Sequence, residues 1–112
     1  MTKTSEKSAQ ELQSTLHAKF FQGLANPTRY RIVETLLGGP KNVSELVEAL
    51  GVSQSLISNQ LACLKWCGYV SSQQEGKYVY YTITDERIRT IVEMSRSVVT
   101  DNASHISACT RM

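Results

Sequence analysis

The sequence predicts a mainly α fold with a small β-hairpin, in the order α-α-α-α-β-β-α. Three observations carry that expectation. Apolar residues recur at three- and four-residue spacing in several separate stretches, which marks amphipathic helices. Glycine, proline and asparagine punctuate those stretches. After Gly68 the period changes, and β-branched and aromatic residues gather in two short runs.

Residues 1–8 are polar and read as a flexible N-terminal tail. Leu12, Leu16, Phe20 and Leu24 then mark one side of a first helix that should end near Ala25. Asn26-Pro27-Thr28 is a break and restart, with Pro27 suited to the first turn of a second helix through Ile32, Val33, Leu36 and Leu37. Gly38-Gly39-Pro40 stops it. Val43, Leu46, Val47 and Leu50 form the buried side of a third helix that halts at Gly51. Ser53 is a good N-cap for a fourth, which runs through Leu56, Ile57, Leu61 and Leu64. Two short helices joined by a glycine-containing turn make a helix-turn-helix.

Tyr69 to Gln74 and Tyr78 to Ile83 flank Glu75-Gly76-Lys77 and read as a hairpin, so the unit is a winged helix-turn-helix. Thr84 is expected to cap a last helix whose apolar stripe is Ile88, Ile91, Val92, Val98 and Val99. One domain over 9–100 and a C-terminal tail over 101–112 follow. A chain of 112 residues leaves no room for a second core, since domains typically take about 100 to 150.

Composition excludes several classes. Hydrophobic residues make up 41% and charged residues 20%, which argues for an ordinary globular chain. No apolar run spans a bilayer, and the polar start lacks the apolar centre of a secretory signal, so a cytoplasmic protein without a membrane partner is expected. The net charge of +2 says little about nucleic acid, because that depends on where the basic residues cluster. Three cysteines fit free thiols, metal ligands or a redox switch better than a disulfide framework.

On a helical wheel the fourth helix has two sides. Ile57, Leu61 and Leu64 fall in one arc, which packs; Ser55, Ser58, Asn59 and Ala62 fall on the other, which can enter a major groove of double-stranded DNA. Gln54 and Gln60 are further candidates, and the free N–H groups near Ser53 offer a phosphate site. Lys77 at the hairpin tip suits the DNA backbone, with Arg29, Arg31, Lys41 and Lys65 as added charge.

Cys63 and Cys67 stand four residues apart on that helix, with Cβ atoms about 6 Å apart, so two thiolates can share one metal ion. Cys109 offers a third, from the same or a second subunit, and His105 is a possible fourth ligand. Three sulfurs suit thiophilic ions such as cadmium, lead, mercury or arsenite. The competing readings are cysteines buried as small hydrophobes and a redox or persulfide switch. Trp66 and Tyr69 read as packing residues, and His17 as surface or interface.

Leu24 to Ile32 (LANPTRYRI), Val43-Ser44-Glu45-Leu46, Ser53 to Leu61 (SQSLISNQL) and the wing Glu75 to Tyr81 (EGKYVYY) together resemble the ArsR/SmtB family of metal-sensing repressors. The resemblance implies a homodimer held by first and last helices, here Leu12, Leu16, Phe20, Ile88, Ile91, Val92 and Val98. Leu61 to Gly68 (LACLKWCG) with a tail cysteine is similar to the family's cadmium/lead-sensing CmtR subgroup, which implies Cys63, Cys67 and Cys109 as ligands. Cadmium or lead is therefore the expected regulatory ion, with zinc, mercury and arsenite as alternatives. The family's other zinc site needs paired Asp and His along the last helix, and after Asp85 no histidine comes before His105.

The expected function is a repressor that binds operator DNA and dissociates on metal binding. A winged helix used only for protein contact is the rival from a different class. An enzyme with Cys109 as nucleophile and His105 or His17 as base lacks an oxyanion loop and a third orienting residue. No catalytic residue and no small-molecule substrate are expected.

Overall fold

A computed structural model describes the backbone of residues 2–111 and the side chains of 8–111. The order is α1 (Thr2–Gly23), α2 (Pro27–Leu36), α3 (Val43–Leu50), α4 (Gln54–Trp66), β1 (Val70–Glu75), β2 (Tyr78–Ile83) and α5 (Glu86–Ala108). This is the α-α-α-α-β-β-α winged helix-turn-helix that the sequence predicts.

Local chemistry sets most boundaries. Asn26 caps α2 by accepting the Arg29 N–H, and Pro27 opens the helix. Asn42 and Glu45 form a reciprocal capping box at α3, and Gly51 ends it in the left-handed region at φ 70°. Ser53 caps α4 by accepting the Leu56 N–H at 3.2 Å. β1 and β2 pair antiparallel from Val70↔Ile83 to Glu75↔Tyr78, and Gly76, at φ 62°, makes the tip. Lys41 bridges to Tyr81 and anchors the hairpin to the segment before α3.

One core holds these pieces together. Ile32, Val33, Leu36, Leu46, Ile57, Leu61, Leu64 and Val70 are buried where α2, α3, α4 and β1 meet, and Ile88 and Val92 join them from α5. Arg89 donates to the Leu37 carbonyl at 2.6 Å and Arg96 pairs with Glu34 at 2.6 Å, so α5 is latched along α2.

The two long helices depart from the expected ends. The tail expected over 1–8 is instead helical from Thr2, and Met1 lies outside the described residues. α1 stops at Gly23 rather than near Ala25. The tail expected from Asp101 continues α5 to Ala108 across a bend at Asn102, with Met112 outside the described residues. Asp85, not Thr84, caps α5. The Asp85 carboxylate accepts from the Arg87 N–H and from the Arg87 guanidinium, and those hydrogen bonds hold its pKa down to about 2. Thr84 instead donates to the Gly68 carbonyl and closes the base of the wing.

The radius of gyration, 16.9 Å, exceeds the roughly 13 Å of a compact chain of this size, because much of α1 and α5 projects. Leu12 is 60% exposed and Leu16 55%. Ile88 and Val92, expected at a dimer interface, are 6% and 1% exposed and lie in the protomer's own core, without surface left for a partner. Phe20 and Ile91 are half-buried and Val98 is exposed. Among the described residues no helix is long and apolar enough to cross a membrane.

Leu61 is buried where α4 meets the core, and truncation leaves a cavity. We expect Leu61→Ala to destabilise the fold by about 2 to 5 kcal/mol, read as a lower urea midpoint at fixed protein concentration. A change below about 1 kcal/mol would contradict this packing.

Candidate nucleic-acid interface and thiol pair

Burial of Ile57, Leu61 and Leu64 rotates α4 so that its opposite side faces water. Gln54, Ser55, Ser58, Asn59 and Ala62 are exposed there, as the wheel predicts. Two other expected DNA contacts are engaged within the chain. Ser53 spends its hydroxyl oxygen on the cap of α4. Gln60 is half-buried and accepts from the Arg29 guanidinium at 3.0 Å, on a side of the helix turned away from Ser58 and Asn59. Lys77 sits at the exposed hairpin tip, its ammonium 5.5 Å from the centre of the Tyr78 ring.

Tyr78 and Val79 are also exposed at that tip, and the Tyr78 and Tyr80 rings meet edge to face. In the sequence they read only as strand formers. Strand alternation alone does not say which face of a two-stranded hairpin is covered.

Cys63 and Cys67 lie one turn apart at the C-terminal end of α4, and the Cys67 N–H donates to the Cys63 carbonyl at 3.0 Å. Cys109 ends α5. All three thiols are free and exposed, so the reading of Cys63 and Cys67 as small buried hydrophobes is overturned. Cys109 is not brought to the pair within one chain: among the described residues no three Cys, His, Asp or Glu side chains gather as a metal site would need. His105 and His17 are exposed as well.

Cys67 borders a groove of about 870 Å³ between the end of α1, the end of α4 and the start of α5. Cys67, Trp66, Tyr69, Phe20 and Arg29 line it. Trp66 is 91% exposed, so it is not the packing residue expected of it. Tyr69 is: its ring lies against Phe20, and its hydroxyl donates to the Phe20 carbonyl at 2.6 Å. Burial pushes the Tyr69 phenol up, nearby Cys67 adds to the rise, and Arg29 opposes it. The ring also fills the space a Cβ on Gly23 would need. Arg29, which from the sequence offers only added charge, donates to the carbonyls of Gly23 and Gln22 and to Gln60. Its position three residues after the helix cap Asn26 gave no hint of partners so distant in sequence.

A family model described as "Bacterial regulatory protein, arsR family" matches residues 26–72, from the start of α2 into β1. A probable mercury resistance operon repressor of Streptomyces lividans is 40% identical over 95 residues, covering 85% of this chain and 76% of that one. The transcriptional regulator CmtR of Mycobacterium tuberculosis is 37% identical over 78 residues, covering 70% and 66%. Among solved structures, the homodimeric winged helix-turn-helix DNA-binding domain of a possible ArsR-family regulator from Mycobacterium bovis superposes with a TM-score of 0.71. It is 28% identical and matches over 82% of this chain and 84% of that one.

Because all three cysteines are exposed, we expect the reduced native protein to react with a thiol reagent such as DTNB at three sites per chain without denaturant. A count of one, with the others released only on unfolding, would contradict the placement of the pair.

Proposed function

The chain belongs to the arsR family of bacterial regulatory proteins, and on that premise we propose that it is a metal-responsive transcriptional repressor. It acts in the cytoplasm as a homodimer on double-stranded operator DNA, and it releases the operator when its thiols are ligated. The observation that carries this reading is a single helix, α4, that presents Ser55, Ser58 and Asn59 on one exposed side and the thiols of Cys63 and Cys67 beside it.

The DNA half follows from groove chemistry. Exposed hydroxyl and amide side chains on a helix can hydrogen-bond base edges without bulk, and the capped N-terminus of α4 adds backbone N–H groups for a phosphate. Lys77 at the wing tip supplies backbone charge. A palindromic operator places two reading helices in major grooves about one helical turn apart, which requires a dimer. The exposed Leu12, Leu16, Met94, Val98 and Val99 on the projecting parts of α1 and α5 give such a dimer its apolar surface. The homodimeric Mycobacterium bovis domain supports the same arrangement.

The donor set fits a soft cation, because thiolates select thiophilic ions over oxygen-seeking ones. Cys63 and Cys67 hold it, and Cys109 completes the set from the second subunit, since it stands apart from the pair in its own chain. When bound, the ion supplies cross-linking of these thiolates at the C-terminal end of α4. A purely redox switch is disfavoured for the pair: helical i, i+4 Cβ atoms lie about 5 to 6 Å apart, beyond the roughly 3.5 to 4.5 Å a disulfide needs. Cadmium and lead are the expected ions. The Streptomyces relative's name adds weight to mercury, and zinc and arsenite remain alternatives. The relatives' names describe regulators, and the present reading likewise assigns no enzymatic step.

Titration of the metal-free dimer against DNA from its own promoter region, with and without each ion, tests the whole reading. We expect salt-dependent binding weakened by roughly 5- to 150-fold on addition of a cognate ion, a coupling of about 1 to 3 kcal/mol. Cys63→Ser and Cys67→Ser should bind DNA normally and no longer release it. Quenching of Trp66, the single tryptophan, should report the loading step directly. Normal metal-driven release by either serine variant would sink the assignment of the pair, and absence of DNA binding would favour a protein-contact module.

A further inference from the structure

We infer that Arg29 and Gln60 form an internal strut that fixes the angle between α1 and the reading helix α4, which makes them positioning residues for operator binding and not DNA contacts. The inference rests on the regulator reading for its consequence, and on the hydrogen bonds for its geometry.

The Arg29 guanidinium is half-buried and uses its fork in two directions. Toward α1, Nε donates to the Gly23 carbonyl at 2.7 Å and Nη2 to the Gln22 carbonyl at 3.3 Å. Toward α4, Nη1 donates to Gln60 Oε1 at 3.0 Å. The last carbonyls of a helix lack intrahelical partners, and a cation there is favoured by the helix dipole. A planar guanidinium can satisfy that end and a third acceptor together, whereas a lysine ammonium is a point charge without the fork. Arg29 is itself held, because its backbone N–H donates to the Asn26 cap. Only residues 24–26 join α1 to α2, so the strut, with the Tyr69 bond to Phe20 as a second tie, decides where α1 points.

Angle matters because α1 projects from the core and carries exposed Leu12 and Leu16 toward a second copy. An angular change at the short 24–26 link is amplified along the 22-residue helix into a change in the spacing of two reading helices. The operator fixes that spacing at one helical turn. The strut therefore acts on DNA affinity through geometry, with no contact to a base or phosphate.

Arg29→Lys, Gln60→Ala and the double variant test this in the full-length, metal-free protein. Two readouts are used: operator affinity across a salt series, and amide hydrogen exchange at Leu24 and Ala25, whose N–H groups bond back to Phe21 and Gln22. We expect each single variant to lose affinity by on the order of tenfold and the double to lose little more, as neighbours in one network do. The salt slope should stay that of the wild type, and exchange at Leu24 and Ala25 should rise in both singles. Direct DNA contacts predict the opposite: additive losses, a salt slope reduced by about 1 in an Arg29→Ala variant measured alongside, which removes the charge that Arg29→Lys keeps, altered base preference for Gln60→Ala, and unchanged exchange. That pattern would overturn the strut. If the wild type binds no promoter DNA, the regulator reading fails, and the exchange data alone decide whether the strut exists.

Discussion

Everything functional in this chain depends on how the buried stripe of α4 is seated. Ile57, Leu61 and Leu64 are almost entirely removed from water, and each contributes on the order of 1.5 to 3 kcal/mol by burial. Rotating the helix by a quarter turn would expose part of that stripe and bury serine and asparagine side chains in its place. The core thus determines which residues face outward. Ser55, Ser58 and Asn59 are presented because their neighbours one-half turn away are not free to move.

The same seating places the thiols. At about 100° per residue, Cys67 lies about 120° around the helix from Ser55, and Cys63 about 80°. The pair is neither in the core nor in the middle of the exposed Ser55, Ser58 and Asn59 side. Cys67 borders the groove shared with the end of α1, where Tyr69, just after α4, bonds to Phe20 and Arg29 joins α1 to α4. A bond formed at that end of α4 would act on the junction of α1 and α4, while Ser55, Ser58 and Asn59 stay clear.

The core of the fold was legible in the sequence because its signals are local. The break at Asn26-Pro27, the cap at Ser53, the glycines at 51 and 76, and the change of period after Gly68 each follow from short-range chemistry. The ends of α1 and α5 were not, because polar segments such as 1–8 carry no apolar period to mark a helix. Burial within α5 was misjudged for a related reason. An apolar stripe shows that a surface is covered but not by what, and Ile88 and Val92 turned out to face the protomer's own core. In the site, the exposed side of α4 and the spacing of Cys63 and Cys67 could be read from the wheel. Long-range partners could not: Gln60 and Arg29 are 31 residues apart, and Tyr69 and Phe20 are 49 apart.

Incompleteness of the single chain ties these observations together. A core built from α2, α3, α4 and β1 is satisfied internally, with an ion pair and a side-chain bond to a backbone carbonyl latching α5 to it. The projecting parts of α1 and α5 are not satisfied: they leave leucine, valine and methionine in water. Cys109 stands at the end of one of these projections, away from the thiols on α4. Apolar surface and the third cysteine thus lie on the same two helices. A second copy that covers the first can also bring in the second, so assembly and ligand completion would draw on one geometry.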